Sequence, residues 1–357
     1  MHVPWGWIKQ RPHFLAEELS DNFKVDIMIP KSFRTSNLTI NESSLNINSV
    51  FKLPFERFKL IRSMNSIIVQ ILLKYRYRVH KYKYIWITDL RMYPLMRNLI
   101  SSEQKLIYDC MDDVLEFEVL KEQYHELSSI EKQLFSRVDL VLFSSKELES
   151  RKVKKYNLQN SSYGLVYNAL DKNLVHTEIF DKYNEIFNQY QINNYTVLTY
   201  IGTISSWLDF DLIEKSVNDF ENIVYFLIGP IEQNIEVLKH ERIKYFGSVE
   251  HKYIKTLVVK SDILVMPFKV NKLIEAVDPV KMYEYISFGK KIISIDYKEL
   301  NKFSQYISSY KNYKDFKEVL NQLIDSSSND SLNKNFIELN NWQNRKKEII
   351  TLIERIS

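Results

Sequence analysis

The sequence predicts an α/β protein of two domains, each a parallel sheet covered by helices. Three observations lead there. The 357 residues exceed what one hydrophobic core commonly supports, so the chain should divide. Short apolar runs alternate with helix-period segments almost throughout, which is the pattern of βα units around parallel sheets. The hydrophobic fraction of 45% and the charged fraction of 26% are those of an ordinary globular protein.

In the first half, strands are expected at 25–29, 84–88, 105–109, 140–144 and 163–167, and helices at 10–19, 58–74, 115–137 and 145–155. The second half reads more clearly. Strands are expected at 196–201, 223–228, 243–246, 263–266 and 291–295, with helices at 209–218, 231–238, 251–260, 279–288 and 315–326. These divide the chain into a first domain over 1–172, a polar linker over 173–194 with some helix, and a second domain over 195–332. A last helix over 333–357 is long enough to cross back to the first domain. A doubly wound domain should open with a full buried strand, yet only His2, Val3 and Pro4 precede a Trp-Gly turn. The first strand is therefore read as truncated at Met1 or as beginning upstream of it.

Composition sets limits on partners. Cys110 is the one cysteine, which excludes an internal disulfide and a Cys-based zinc cluster and fits a reducing compartment. The net charge of +4 does not argue for nucleic acid, and no nucleic-acid partner is expected. No apolar run follows a basic start, and no uncharged stretch approaches the roughly 18 residues that span a bilayer. A cytoplasmic protein is expected, at most lying on a membrane surface.

The chain has six glycines. Gly202, Gly229 and Gly247 each follow a second-half strand, and Gly6 follows the stub of the first. Such glycines punctuate turns, but three at successive strand ends favour a crevice where backbone closely approaches a ligand. GxGxxG is absent, which argues against a plain dinucleotide dehydrogenase. The densest segment is 266–294. There Asp278 and Pro279 read as N-cap and first residue of a helix, whose free amides and positive dipole end suit a diphosphate. Lys281 would add charge to that anion, and Glu284 would accept hydrogen bonds from two adjacent ribose hydroxyls. The plainer alternative is a well-capped amphipathic helix with solvated Lys281 and Glu284.

In the first half, Asp109, Asp112 and Asp113 cluster after a strand. Asp112 or Asp113 there suits a base that positions or deprotonates an acceptor hydroxyl. The cluster suits equally the acidic start of the helix that follows. No metal is expected at it. The histidines are given no catalytic role; His13 lies nearest the expected cleft.

Residues 52–83 are basic and amphipathic. Lys52, Arg57, Lys59, Arg62, Lys74, Arg76, Arg78, Lys81 and Lys83 stand against the single acid Glu56, with aromatic and aliphatic residues between them. This pattern suits anionic lipid headgroups, at roughly 1 kcal/mol per well-placed cation. It would also suit RNA, or the ordinary solvated face of a helix.

The string PFKxNxLxEAVDPVKxYEY followed by GK, residues 267–290, is similar to the donor-binding region of retaining GT-B glycosyltransferases. It resembles most the subgroup of teichuronic acid, capsule and O-antigen assembly. WGWIKQRPHFLAEEL (5–19), YDCMDDVLEF (108–117), YNALD (167–171), YIGTISSWLDFDLI (200–213) and NWQNR (341–345) agree in order along the chain.

The resemblance implies two Rossmann-like domains facing across a cleft, the first for a glycan or polyprenyl-linked acceptor and the second for a nucleotide-sugar donor. UDP is favoured, transfer retains the anomeric configuration, and neither cofactor nor metal is required. Glu284 matches the second Glu of the family's Glu-x7-Glu motif. Ala276 stands where the first belongs, with Glu275 one residue out of step. The family's Arg/Lys clamp on the diphosphate is absent, and Thr203, Ser205, Lys269, Lys281 and Arg11 are its candidate substitutes. Gly229 and Pro230 would wall the base; Gly6, Trp7, Asn271 and Val280 complete the implied donor site. Two other readings share this pattern: a nucleotide-sugar 2-epimerase and a non-catalytic glycan-binding or partner subunit.

Overall fold

The computed structural model describes residues 9–31, 45–51, 53, 58–192, 194–232, 235–236, 238–326 and 332–357. The chain divides into two compact units. One is Met1–Tyr167 with Trp342–Ser357, and the other is Asn168–Asn341.

In the first unit, β1 (Asp26–Lys31) and β2 (Asn46–Phe51) form a parallel pair among the described residues. β3 (Tyr84–Ile87), β4 (Lys105–Cys110), β5 (Leu140–Phe143) and β6 (Tyr163–Leu165) form a parallel sheet in that order. β2 escapes a reading by pattern because Asn46, Asn48 and Ser49 interrupt its apolar residues. β5 is its opposite, LVLF with every residue buried, as a central parallel strand covered on both faces requires. The last helix, Trp342–Glu354, belongs to this unit and packs on Arg11–Leu19, with Phe14 and Trp342 stacked at 5.1 Å.

The second unit holds β7 (Thr196–Ile201), β8 (Ile223–Ile228), β9 (Ile243–Tyr245), β10 (Ile263–Met266), β11 (Lys291–Ile295) and β12 (Ser308–Tyr310). Their spatial order is β12-β11-β10-β7-β8-β9, all parallel. That is the doubly wound order, with the switch point between β7 and β10, where the chain has gone one way and then the other. The core is built on it: Leu198, Tyr200, Ile213, Val217, Tyr225, Leu227 and Val265 form one buried cluster.

Beyond the strands β2 and β12, which the sequence reading lacks, four expected elements take a different form. The expected helix at 115–137 begins as two 3-10 turns, Val114–Glu116 and Glu118–Gln123, and becomes α-helical only over Tyr124–Arg137. Ile231 forms a bridge with Ile204 rather than a helix, and the Glu232 amide donates to the Ile204 carbonyl. The segment 173–194 lies within the second unit, with helices Lys172–His176 and Asn184–Ile192, and Phe187 is fully buried against Phe226. The final helix is two helices, Lys334–Leu339 and Trp342–Glu354. The Asn341 side chain donates to the Ile337 and Glu338 carbonyls, closing the first helix. The division between units falls at this break.

Candidate functional site

Each unit carries its own cluster. In the second unit, the carboxyl ends of β7, β8 and β9 are drawn together by glycine. The Gly202 amide donates to the Ile228 carbonyl, and the Gly229 amide donates to the Gly247 carbonyl. Gly229 has φ +143, and a Cβ there would stand 1.9 Å from the Gly202 carbonyl oxygen, so no other residue fits. Ile204 donates to the Pro230 carbonyl, which knits the loop after β7 to the loop after β8. The Tyr200 hydroxyl donates to the carbonyl of half-buried Thr203.

The helix Val280–Ser287 begins at the same edge of this sheet, because it follows the loop leaving β10. Tyr285 fixes it there: its hydroxyl accepts from the Ile201 amide at 2.8 Å, at the end of β7. Pro279, not Asp278, is the N-cap residue, and no side chain caps the first amides. Asp278 is instead drawn inward, because a carboxylate at 3% exposure needs an opposite charge and several donors. Lys302 Nζ stands at 2.7 Å from it, the Tyr283 hydroxyl at 3.0 Å and the Asn168 amide at 2.7 Å.

Glu284 is 5% exposed and lies one turn from Lys281, whose Nζ donates to Oε2 at 2.9 Å. His251 Nε2 faces Oε1 at 3.9 Å. Burial works to raise the Glu284 carboxyl, but Lys281 and His251 outweigh it and hold the group below the ordinary value, so it is an anion at neutral pH. The cluster thus offers an ionised carboxylate as acceptor, a half-buried ammonium, and helix amides with no side-chain cap.

Other residues expected here are engaged elsewhere. Ser205 is fully buried and donates to Glu232, so its hydroxyl is committed to the loop after β8. Asn271 caps the short helix Lys272–Glu275 through the Ile274 amide. Lys269 pairs with Asp211 at 3.1 Å on the surface. Gly6 and Trp7 lie outside the described residues, as do Lys52, Glu56 and Arg57 of the basic segment.

In the first unit, Arg11 is a buried strut and not an exposed cation. It is 3% exposed, with Nε donating to Asp109 Oδ1 at 2.9 Å and a terminal nitrogen to the Val166 carbonyl at 2.7 Å. It holds the helix Arg11–Leu19 to β4 and to the chain leaving β6. Asp113 is likewise internal: Lys152 Nζ stands at 2.7 Å and also bonds Glu131.

Asp112 differs from both neighbours. It lines a cavity of about 170 Å³ with Thr88, Asp89, Arg91, Tyr108 and Phe117. Asp89 caps the turn Leu90–Met92 and is paired with Arg91. Burial, and then the nearby Asp89 charge, push Asp112 from the ordinary 3.8 up to about 6. A half-buried carboxyl of that value in a cavity lined by both polar and apolar side chains suits proton exchange with a hydroxyl.

His251, Tyr285 and Lys302 were not singled out by sequence. None sits in a spacing that marks it, since each meets its partner from a different element. Asn168 stands in the YNALD string, but its bond to Asp278 joins residues 110 apart.

No family model matches the sequence. The chain is 24% identical over 230 residues to TuaH of Bacillus subtilis, assigned as a glycosyltransferase of teichuronic acid biosynthesis. That match spans 61% of this chain and 57% of the relative. Among solved structures, HepE of Anabaena, in complex with UDP and glucose, superposes with a TM-score of 0.70 at 12% identity, over 99% of this chain and 98% of that one. Sucrose-phosphate synthase of Thermosynechococcus elongatus gives 0.71 at 14% identity, over 97% and 92%. At these identities the likeness is one of architecture, and the chain has the GT-B fold of glycosyltransferases.

Proposed function

We propose that this protein is a glycosyltransferase that moves a sugar from a nucleotide-diphosphate donor to a glycan or polyprenyl-linked saccharide, in surface polysaccharide synthesis at the cytoplasmic face of a membrane. The observation that carries this reading is the ionised Glu284, held by Lys281 at the start of the helix Val280–Ser287, beside the glycine-lined ends of β7 and β8. The carboxylate would take the two ribose hydroxyls, while Lys281 and the helix amides take the diphosphate. As the sugar leaves, negative charge grows on that diphosphate, and a fixed dipole and cation stabilise it most at the transition state. Asp112 would position the acceptor hydroxyl. Transfer is read as retaining and as independent of metal, with UDP the favoured carrier; the likeness to TuaH, named as a glycosyltransferase, and to HepE, solved with UDP and glucose, supports the class.

Thermal melting with UDP, GDP, dTDP and ADP, each with and without magnesium, tests this. A ligand at about 100 times its dissociation constant adds roughly 2.7 kcal/mol of stability. The expected result is a shift with one nucleotide, unchanged by magnesium and absent in Glu284→Ala. No shift with any nucleotide at millimolar concentration would overturn the donor site.

A further inference from the structure

The helix Lys59–Val79 exposes the face that an ordinary surface helix buries. Leu60, Met64, Ile67, Ile71 and Tyr75 follow one another at intervals of four, three, four and four, so they share one side. They are 73%, 44%, 56%, 62% and 66% exposed. On the opposite side Leu73 and Asn65 are buried, and Asn65 bonds both backbone groups of Leu53. The helix is thus seated on its unit by one side and carries an apolar stripe on the other. From Leu60 to Tyr75 the stripe extends about 22 Å along this helix of 21 residues. A continuous exposed stripe of that kind marks a surface that something covers.

Charge says what covers it. The helix holds Lys59, Arg62, Lys74, Arg76 and Arg78 and no acid, and Lys81 and Lys83 follow. Lys74 and Arg78 lie on or beside the stripe and are exposed. A second copy packed on this face would bring like charges together, whereas an anionic surface satisfies both the stripe and its cations. No described helix is long and apolar enough to cross a membrane, so this one would lie in the interface plane.

We propose that the outer face of Lys59–Val79 docks the protein on an anionic lipid surface. The five apolar side chains enter the acyl boundary, and Lys74 and Arg78 meet headgroup phosphates. The proposal deepens the reading of a transferase with lipid-borne acceptors and takes from it only the purpose of the contact.

Sedimentation of the full chain with vesicles of phosphatidylcholine, with and without phosphatidylglycerol, tests it. The expected result is binding to the anionic vesicles alone, weakened by salt. Ile67→Glu with Ile71→Glu, and separately Lys74→Gln with Arg78→Gln, should each reduce it by about tenfold or more. All four positions are exposed, so the melting temperature and the UDP-induced shift should not change. That shift separates the two readings, since it fails only if the donor site is wrong. Wild-type protein left in the supernatant, or binding indifferent to both double variants, overturns the lipid surface. So does a concentration-dependent dimer that Ile67→Glu with Ile71→Glu abolishes, which would make a second copy the occupant.

Discussion

Replacing Asp112 with asparagine should stabilise the protein at neutral pH while removing transfer. The carboxyl is raised from 3.8 to about 6 because its anion is poorly solvated in the cavity and faces Asp89. A group whose folded value exceeds its unfolded one binds its proton more tightly in the folded state. Stability is then greatest below the unfolded value, falls as pH rises between 3.8 and about 6, and stays reduced above. A rise of about two pH units, at about 1.4 kcal/mol each, sets a ceiling of about 3 kcal/mol on that penalty at pH 7. An asparagine of the same shape carries no charge and escapes it. For a unit of this size the ceiling corresponds to a melting shift of about 6–12 °C. The assay is calorimetry of wild type and Asp112→Asn from pH 4 to 8. The variant should melt higher at pH 7, and the gap should close toward pH 4. A variant equal to or less stable than wild type at pH 7 would refute the argument that Asp112 is held there against its own electrostatics. Transfer by the wild type should rise with pH through about 6, where the carboxylate forms.

Other perturbations have definite signs. Gly229→Ala should cost about 3 kcal/mol or more in urea unfolding, since φ is +143 and the added methyl meets the Gly202 carbonyl. Lys302→Met leaves the Asp278 anion buried with only neutral donors, and should cost about 3–5 kcal/mol and weaken nucleotide binding by loosening the helix start. Lys152→Met removes the cation from Asp113 and leaves Glu131 with Lys155 and the Tyr156 hydroxyl alone. Although burial opposes it, Lys152 with its neighbours holds Glu131 below 4.5, so this pairing supports the fold fully above that value and is lost as pH falls below it, through the lower folded value. The variant's deficit, about 3–5 kcal/mol at pH 7, should therefore narrow in acid melts.

Much of the fold was legible because its central strands leave no choice. The runs LVLF at 140–143 and IVYFLI at 223–228 are buried on both faces, and a run of that kind between helix-period segments has one reading. The edges were not. β2 (NINSVF) and β12 (SSY) are half polar and pair on one side, so little in their residues separates them from loop. The candidate site divides similarly. Lys281 and Glu284 were legible because three residues on a helix bring them to one face. The same helix misled at Asp278, whose place before a proline resembles a cap. Its burial, set by Lys302 and Asn168 from distant parts of the chain, decides its role instead. Arg11 and Ser205 failed for the same reason: sequence shows which groups exist, and tertiary packing decides which are already taken.

The break at Asn340 and Asn341 has a consequence for how the chain comes off the ribosome. The first unit to be started is the last to be finished, since Trp342–Glu354 is needed to pack on Arg11–Leu19. The second unit, an unbroken stretch from Asn168 to Asn341, can close as soon as it clears the exit tunnel. At about 5–20 residues per second, the first unit waits on the order of ten seconds or more with Phe14 uncovered. A truncation just after Asn341 would remove residues of the first unit alone and leave Phe14 without Trp342.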